Sequence, residues 1–94
     1  MIAIDEEMER LLAPALPQML ATMLNLASSA RSRKVRQQAG SLFRRAATEL
    51  LDSARHPDTL RGRWAARALK ENAAGALTYL ERCAEGRRNR GQRH

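Results

Sequence analysis

The most regular pattern of apolar and polar residues lies in the middle of the chain, between Ser32 and Arg55. At about 100° per residue, the apolar positions fall on one face of a helix and basic residues fall on nearly the opposite face. The pattern predicts an amphipathic helix over 32–55. Gly40 lies inside it and indicates close packing of another helix there, since glycine weakens a helix interior. The apolar positions are Val35, Ala39, Leu42, Phe43, Ala46 and Leu50.

A second long helix is predicted over 58–85, after a turn at residues 55–59 (RHPDT). A proline disfavours helical geometry at the residue before it, and Asp58 or Thr59 can cap the next helix. Gly86 is typical of a residue that ends a helix. Because the connection is short, we expect the two long helices to form an antiparallel hairpin.

The first thirty residues predict two short helices separated by prolines. Pro14 ends or bends the first helix, and Pro17 suits the first turn of the second. The second helix extends to about Ala27 and is apolar on nearly all sides. It should therefore lie in the centre of the fold or beneath a second copy of the chain. Residues 11–30 carry no charge, but their prolines and amide side chains make a membrane span unlikely on composition.

The composition favours a single all-α domain. The chain has 94 residues and only one Trp, one Tyr and one Phe, too few aromatic residues to fill a β-sandwich or barrel. The expected fold is a small helical bundle in which the two long helices pack against the proline-broken pair. Residues 87–94 contain four bases and no apolar residue. They predict a disordered basic tail after a domain of 1–86.

The cellular compartment is indicated by the single cysteine and by the acidic N-terminus. Cys83 has no second cysteine with which to form an internal disulfide, which is typical of a reducing compartment. Asp5, Glu6, Glu7 and Glu9 stand where a signal peptide would have basic residues. We therefore expect a cytoplasmic protein.

Residues with the spacing of a catalytic or metal site are scarce. His56 and His94 lie far apart, and the glycines are isolated, so neither a metal site nor a phosphate-binding loop is indicated. Glu49 and Asp52 share a helical neighbourhood, but surface ion pairing is the more typical role of such residues. Cys83 falls on an apolar stripe, where an inert thiol is expected. We expect no enzyme, no metal or cofactor and no small-molecule substrate.

The net charge of +7 is distributed unevenly. Residues 1–30 carry four acids and one base, and residues 31–94 carry sixteen bases and six acids. Such an excess of bases is typical of proteins that bind polyanions, although a GC-rich genome would also favour the fifteen arginines. With no interleaved aromatic residues, contact with phosphates and little reading of bases are expected. The candidate residues are Arg33, Lys34, Arg36, Arg44, Arg45 and Arg55 on the first long helix, Arg63, Arg67 and Lys70 on the second, and Arg87, Arg88, Arg90 and Arg93 in the tail.

Two functions remain open at this point. The first is a non-enzymatic interaction module, accessory or regulatory, whose basic face binds nucleic acid or another polyanion. The second is a protein–protein adaptor or effector, expected to be dimeric, that acts through the apolar N-terminal helix and a second apolar strip on the last helix. The N-terminal helices would cover that strip if it is structural, whereas exposed aromatic residues often mark interfaces. Attachment to an anionic membrane is the weakest option. The candidate interface residues are Leu60, Trp64, Tyr79, Met19 and Met23.

Overall fold

The computed structural model describes the backbone of residues 2–92 and the side chains of residues 6–87. Within these bounds the chain forms five α-helices and one 3₁₀ turn, and no strand. The all-α prediction is confirmed. The elements are α1 (Ile2–Leu12), the 3₁₀ turn (Ala13–Ala15), α2 (Leu16–Ser29), α3 (Arg33–Ala54), α4 (Leu60–Glu71) and α5 (Ala73–Gln92).

The N-terminal pair is broken at the prolines, as predicted. Pro14 lies in the 3₁₀ turn and Pro17 in the first turn of α2, two places where a missing N–H leaves no helical hydrogen bond unmade. Helix α2 packs against α3, α4 and α5 and buries Leu20, Leu24 and Ala27. The predicted central position of this helix is confirmed, whereas α1 contacts mainly the 3₁₀ turn and α4.

Two hydroxyl side chains start the helices of the central hairpin. The Ser32 hydroxyl accepts a hydrogen bond from the Val35 N–H at 3.3 Å and caps α3. The Thr59 hydroxyl accepts from the Gly62 N–H at 2.9 Å and donates to the His56 carbonyl at 2.8 Å. These bonds satisfy amide groups that have no partner within the helix, so the predicted turn and the start of α4 are confirmed.

The hairpin is antiparallel. At the turn, Gly62 lies against the backbone of Ser53 and His56. At the far end, the rings of Phe43 and Tyr79 meet edge to face, with centroids 5.7 Å apart. The end of Tyr79 also packs against Gly40, where a Cβ would overlap it, so the close approach predicted at that glycine is confirmed.

The prediction of a single helix over 58–85 is wrong, because the helix is interrupted at its middle. The chain leaves helical geometry at Asn72, with φ of −105° and ψ of 6°. The Asn72 side-chain amide donates to the carbonyl oxygens of Ala68 at 2.8 Å and Pro17 at 3.0 Å. Because these bonds compete with the regular helical pattern, they fix a junction between α4 and α5 against the start of α2.

The predicted helix end at Gly86 is also wrong. None of the described glycines has a positive φ, which is the conformation by which a glycine usually ends a helix. Residues 87–92 continue α5, while residues 93 and 94 lie outside the described residues. The division into a domain of 1–86 and a tail of 87–94 stays a prediction.

The core is small and rich in alanine. Ala65 and Ala68 of α4 are fully buried, and their short side chains let α4 approach its neighbours closely. The other buried members are Leu20, Leu24, Ala27, Ala39, Phe43, Leu50 and Tyr79.

One stretch, Glu6–Ser29, is long and apolar enough to cross a membrane by length and composition. Of its most apolar window, 22% is buried within the protein. Core helices of soluble proteins and signal sequences pass the same test of length and composition. A single stretch of this kind is therefore weak evidence of a span.

Candidate polyanion-binding cleft

Five arginines line one cleft between the end of α2, the first half of α3 and α5. Arg33, Arg36 and Arg44 come from α3, and Arg82 and Arg87 come from α5. We refer to this site as the arginine cleft. It consists of two adjoining open hollows of about 440 and 470 Å³. Both hollows are lined by Ala27, Arg36, Arg44, Tyr79 and Cys83.

The spacing of residues along the two helices explains how the arginines converge. Positions 33, 36, 40 and 44 recur every three or four residues, so they share one face of α3. Positions 79, 82–83 and 86–87 share one face of α5 for the same reason. Since Tyr79 packs on Gly40, these two faces meet, and the arginines on either side of the contact border the same space.

Among the described side chains, no carboxylate pairs with these arginines. No aspartate or glutamate lines either hollow, and the ion pair found in the described part of the chain joins Arg67 to Glu71, on α4. Because the repulsion among their positive charges is not offset by a nearby carboxylate, five guanidinium groups around one cleft favour the binding of an anion.

Two of the five arginines also make internal hydrogen bonds. Arg36 donates to the carbonyl oxygens of Ala30 at 2.6 Å and Arg31 at 3.1 Å, and it thereby satisfies acceptors at the end of α2. Arg44 donates to the Cys83 sulfur at 3.6 Å. Arg36 is therefore partly structural, whereas Arg44 is exposed and lines both hollows.

Tyr79 forms the floor of the cleft and is 9% exposed. Burial raises the pKa of Tyr79 above its ordinary value of 10.0, and the neighbouring Cys83 adds to the increase. The Arg44 guanidinium acts in the opposite direction on this pKa. The Tyr79 phenol is therefore neutral at physiological pH and adds no negative charge to the cleft.

Other predicted polyanion-binding residues lie outside the cleft. Lys34 and Arg45 are exposed on α3, and Arg55 is exposed just after its end, but these residues do not line the cleft. The arginines that line the cleft come from α3 and α5. The side chains of Arg88, Arg90 and Arg93 lie outside the described residues.

The predicted basic group on α4 forms a separate surface. Arg63, Arg67 and Lys70 are exposed. Arg67 donates to Glu71 at 3.0 Å, and its guanidinium lies 4.9 Å from the centroid of the Trp64 ring. This group is therefore partly compensated, in contrast to the cleft.

Arg82 lines the cleft but is not among the candidate residues predicted from the sequence. Acids such as its neighbours Glu81 and Glu85 often form surface ion pairs with an arginine, yet neither pairs with Arg82 among the described residues. The spacing of Arg82 from Tyr79 and Gly86 is the signal that could have identified it. This spacing identifies Arg82 as a cleft residue only when the orientation of α5 is known, and the junction at Asn72 sets that orientation.

The predicted interface strip is not a single exposed surface. Leu60 and Trp64 are half-buried, and Tyr79 lies in the core. Tyr79 packs against Phe43 and Gly40 of α3, so it is covered within the fold, and its assignment to a partner interface stays a prediction. Met19 is 46% exposed and Met23 is half-buried, both on α2.

Among the described residues, no three His, Cys, Asp or Glu side chains are grouped so as to hold a metal ion. No protein-family model matches the chain, and neither a curated protein nor a solved structure resembles it closely enough to suggest a relative.

Proposed function

We propose that this protein is a non-enzymatic helical module, accessory or regulatory, that binds the phosphate backbone of nucleic acid or another polyanion in the arginine cleft. The observation that carries the proposal is the convergence of five arginines, from two helices, on a cleft whose described lining contains no carboxylate.

The shape of the cleft favours a chain of phosphates over a single enclosed anion. The two hollows are open and adjoin each other, so their arginines are distributed along a surface. Guanidinium groups bind phosphate oxygens through paired N–H donors. An extended polyanion can meet several of them at once, and it releases a counterion at each contact.

The described aromatic residues argue against stacking of bases in the cleft. Tyr79 and Phe43 are buried, and Trp64 lies on α4 beneath Arg67. Proteins that bind single strands usually present exposed aromatic rings to the bases. We therefore expect contact with the backbone and little dependence of affinity on sequence.

The test is binding of fluorescently labelled duplex DNA and duplex RNA at increasing salt concentration. Contact with three to five phosphates predicts a slope of about −2.7 to −4.5 for log K against log salt on DNA, at roughly −0.9 per phosphate. An absence of binding at low salt, or a slope near zero, would contradict the proposal.

A matched pair of charge variants locates the site. R44E/R82E changes two cleft arginines, and R63E/K70E makes the same change of charge on α4. We expect the cleft variant to bind DNA at least tenfold more weakly than the α4 variant, with the salt slope lowered by about 2. Equal losses of affinity in the two variants would show that net charge alone attracts DNA.

A second function, that of a protein–protein adaptor, is favoured by a separate observation. Apolar side chains of the N-terminal pair stand in solvent, with Leu11 77%, Leu12 54% and Met8 52% exposed. Clustered exposed apolar residues often mark a binding surface for another protein.

A further inference from the structure

A second groove follows the N-terminal pair, away from the arginine cleft. Its larger part, of about 640 Å³, is lined by Met8, Leu12, Leu16 and Met19 together with charged residues. A smaller hollow of about 170 Å³ continues it past Met23 towards α3. The two parts share Leu16, Met19 and Arg61. We refer to the whole as the methionine groove.

The floor of this groove is apolar and adaptable. Three of its side chains are methionines, which are unbranched and flexible and can fit partner side chains of different shapes. Met8 is 52% and Met19 46% exposed, so the apolar floor is open to solvent. An elongated apolar groove between helices is the shape that receives the apolar face of another helix.

The charges around the groove have the opposite sign to the rest of the molecule. Glu6 and Glu9 line its larger part and Glu49 its smaller part, against the single base Arg61. None of the three acids forms an ion pair within the described part of the chain. Since Glu49 comes from α3 and the others from α1, the acidic rim is assembled by the fold and is not simply the composition of one segment.

We propose that the methionine groove binds an amphipathic helix of a partner protein, with the apolar face of that helix on the methionines and its basic residues against Glu6, Glu9 and Glu49. Complementary charge is what selects this occupant. A second copy docking through its own α1 would place Glu6 and Glu9 against the same acids, and an anionic lipid surface would meet like charge.

The test compares two model peptides of about 18 residues, long enough to form a helix. Both carry the same leucine face, and their polar positions are lysine in one and glutamate in the other. The net charge of +7 would by itself favour the glutamate peptide. We expect the lysine peptide to bind at least tenfold more tightly in fluorescence anisotropy.

Matched variants assign this binding to the groove. E9K/E49K reverses two acids of the rim, and E81K/E85K makes the same change of charge on exposed positions of α5. We expect E9K/E49K to lower affinity for the lysine peptide at least tenfold, M19A to lower it severalfold, and E81K/E85K to have little effect. Circular dichroism verifies that each variant is folded.

Four results would overturn the proposal. The first is equal affinity for the two peptides, and the second is equal loss of affinity in the two charge variants. The third is a dimer in sedimentation velocity that M19E dissociates, which would assign the groove to a second copy. The fourth is binding to phosphatidylcholine–phosphatidylserine vesicles that M19E abolishes. The R44E/R82E variant should bind the lysine peptide as the unaltered protein does, which separates this test from that of the arginine cleft.

Discussion

Gly62 lies where the first turn of α4 passes the backbone of the preceding turn. A Cβ at this position would overlap the His56 carbonyl and come within 2.8 Å of the Ser53 carbonyl oxygen. Because both obstacles are backbone atoms, the turn itself would have to shift. We expect Gly62→Ala to lower the free energy of unfolding by about 1–3 kcal/mol, the usual cost of overpacking, in urea denaturation followed by circular dichroism.

Gly75 of α5 is the matched control. A Cβ there would meet Leu24 Cδ1 at 3.6 Å, an ordinary van der Waals contact. Since alanine is the better helix former, Gly75→Ala should raise the free energy of unfolding by up to about 1 kcal/mol. Similar stabilities for the two alanine variants would contradict the close approach at Gly62.

Because Tyr79 is buried, we expect the free energy of unfolding to depend on pH in the alkaline range. Burial raises its pKa in the folded protein above the ordinary value of 10.0, so above that pH the unfolded chain holds fewer protons at this phenol than the folded chain. Stability therefore falls as pH increases from about 10 through the folded-state pKa. Below pH 9, Tyr79 contributes no pH dependence.

The Tyr79→Phe variant isolates this effect. It lacks the ionisable hydroxyl and keeps the ring that packs against Phe43. We expect its free energy of unfolding to decrease less steeply between pH 9 and 11 than that of the unaltered protein, in denaturant titrations at each pH. Parallel pH profiles would show that Tyr79 is not the group responsible.

At the scale of the helices, the junction between α4 and α5 depends on one side chain. Asn72 donates to Ala68 within α4 and to Pro17 at the start of α2. Asn72→Ala should lower the free energy of unfolding by about 1–2 kcal/mol, because it removes both bonds and leaves a part-buried site without its donor. Asn25→Ala is the control, since Asn25 is exposed on α2, and it should change stability little.

The elements that were predicted correctly have local causes. The ends of α3, the turn after it and the break near Pro14 follow from caps and prolines acting on their immediate neighbours. The break at Asn72 depends instead on a hydrogen bond to Pro17, 55 residues earlier in the chain. A pattern of apolar residues within one helix carries no information about such a distant bond.

The contrast between local and long-range causes also explains which residues of the site could be predicted from the sequence. Arg33, Arg36, Arg44 and Arg87 were predicted because they belong to basic faces or runs that are visible in the sequence. Their convergence was not predicted, because it requires the orientation of α5 after its junction with α4. Arg82 was missed for that reason.

At the scale of the whole molecule, the two surfaces differ in the sign of their charge. The arginine cleft lies between α3 and α5, and the acidic rim of the methionine groove lies along α1 and the side of α3 near Glu49. Because the described linings of the two proposed sites share no residue, we expect a polyanion in the arginine cleft not to displace a basic helix from the methionine groove.

The central claim is that the arginine cleft is the surface that meets the polyanion. Its most direct test is a titration of ¹⁵N-labelled protein with a short DNA duplex, followed by amide and arginine side-chain NMR signals. We expect the largest shifts at the end of α2, in the first half of α3 and in α5, with the side chains of Arg44 and Arg82 among them. Shifts concentrated around Arg63 and Arg67 on α4, or spread evenly over the basic surface, would contradict the account.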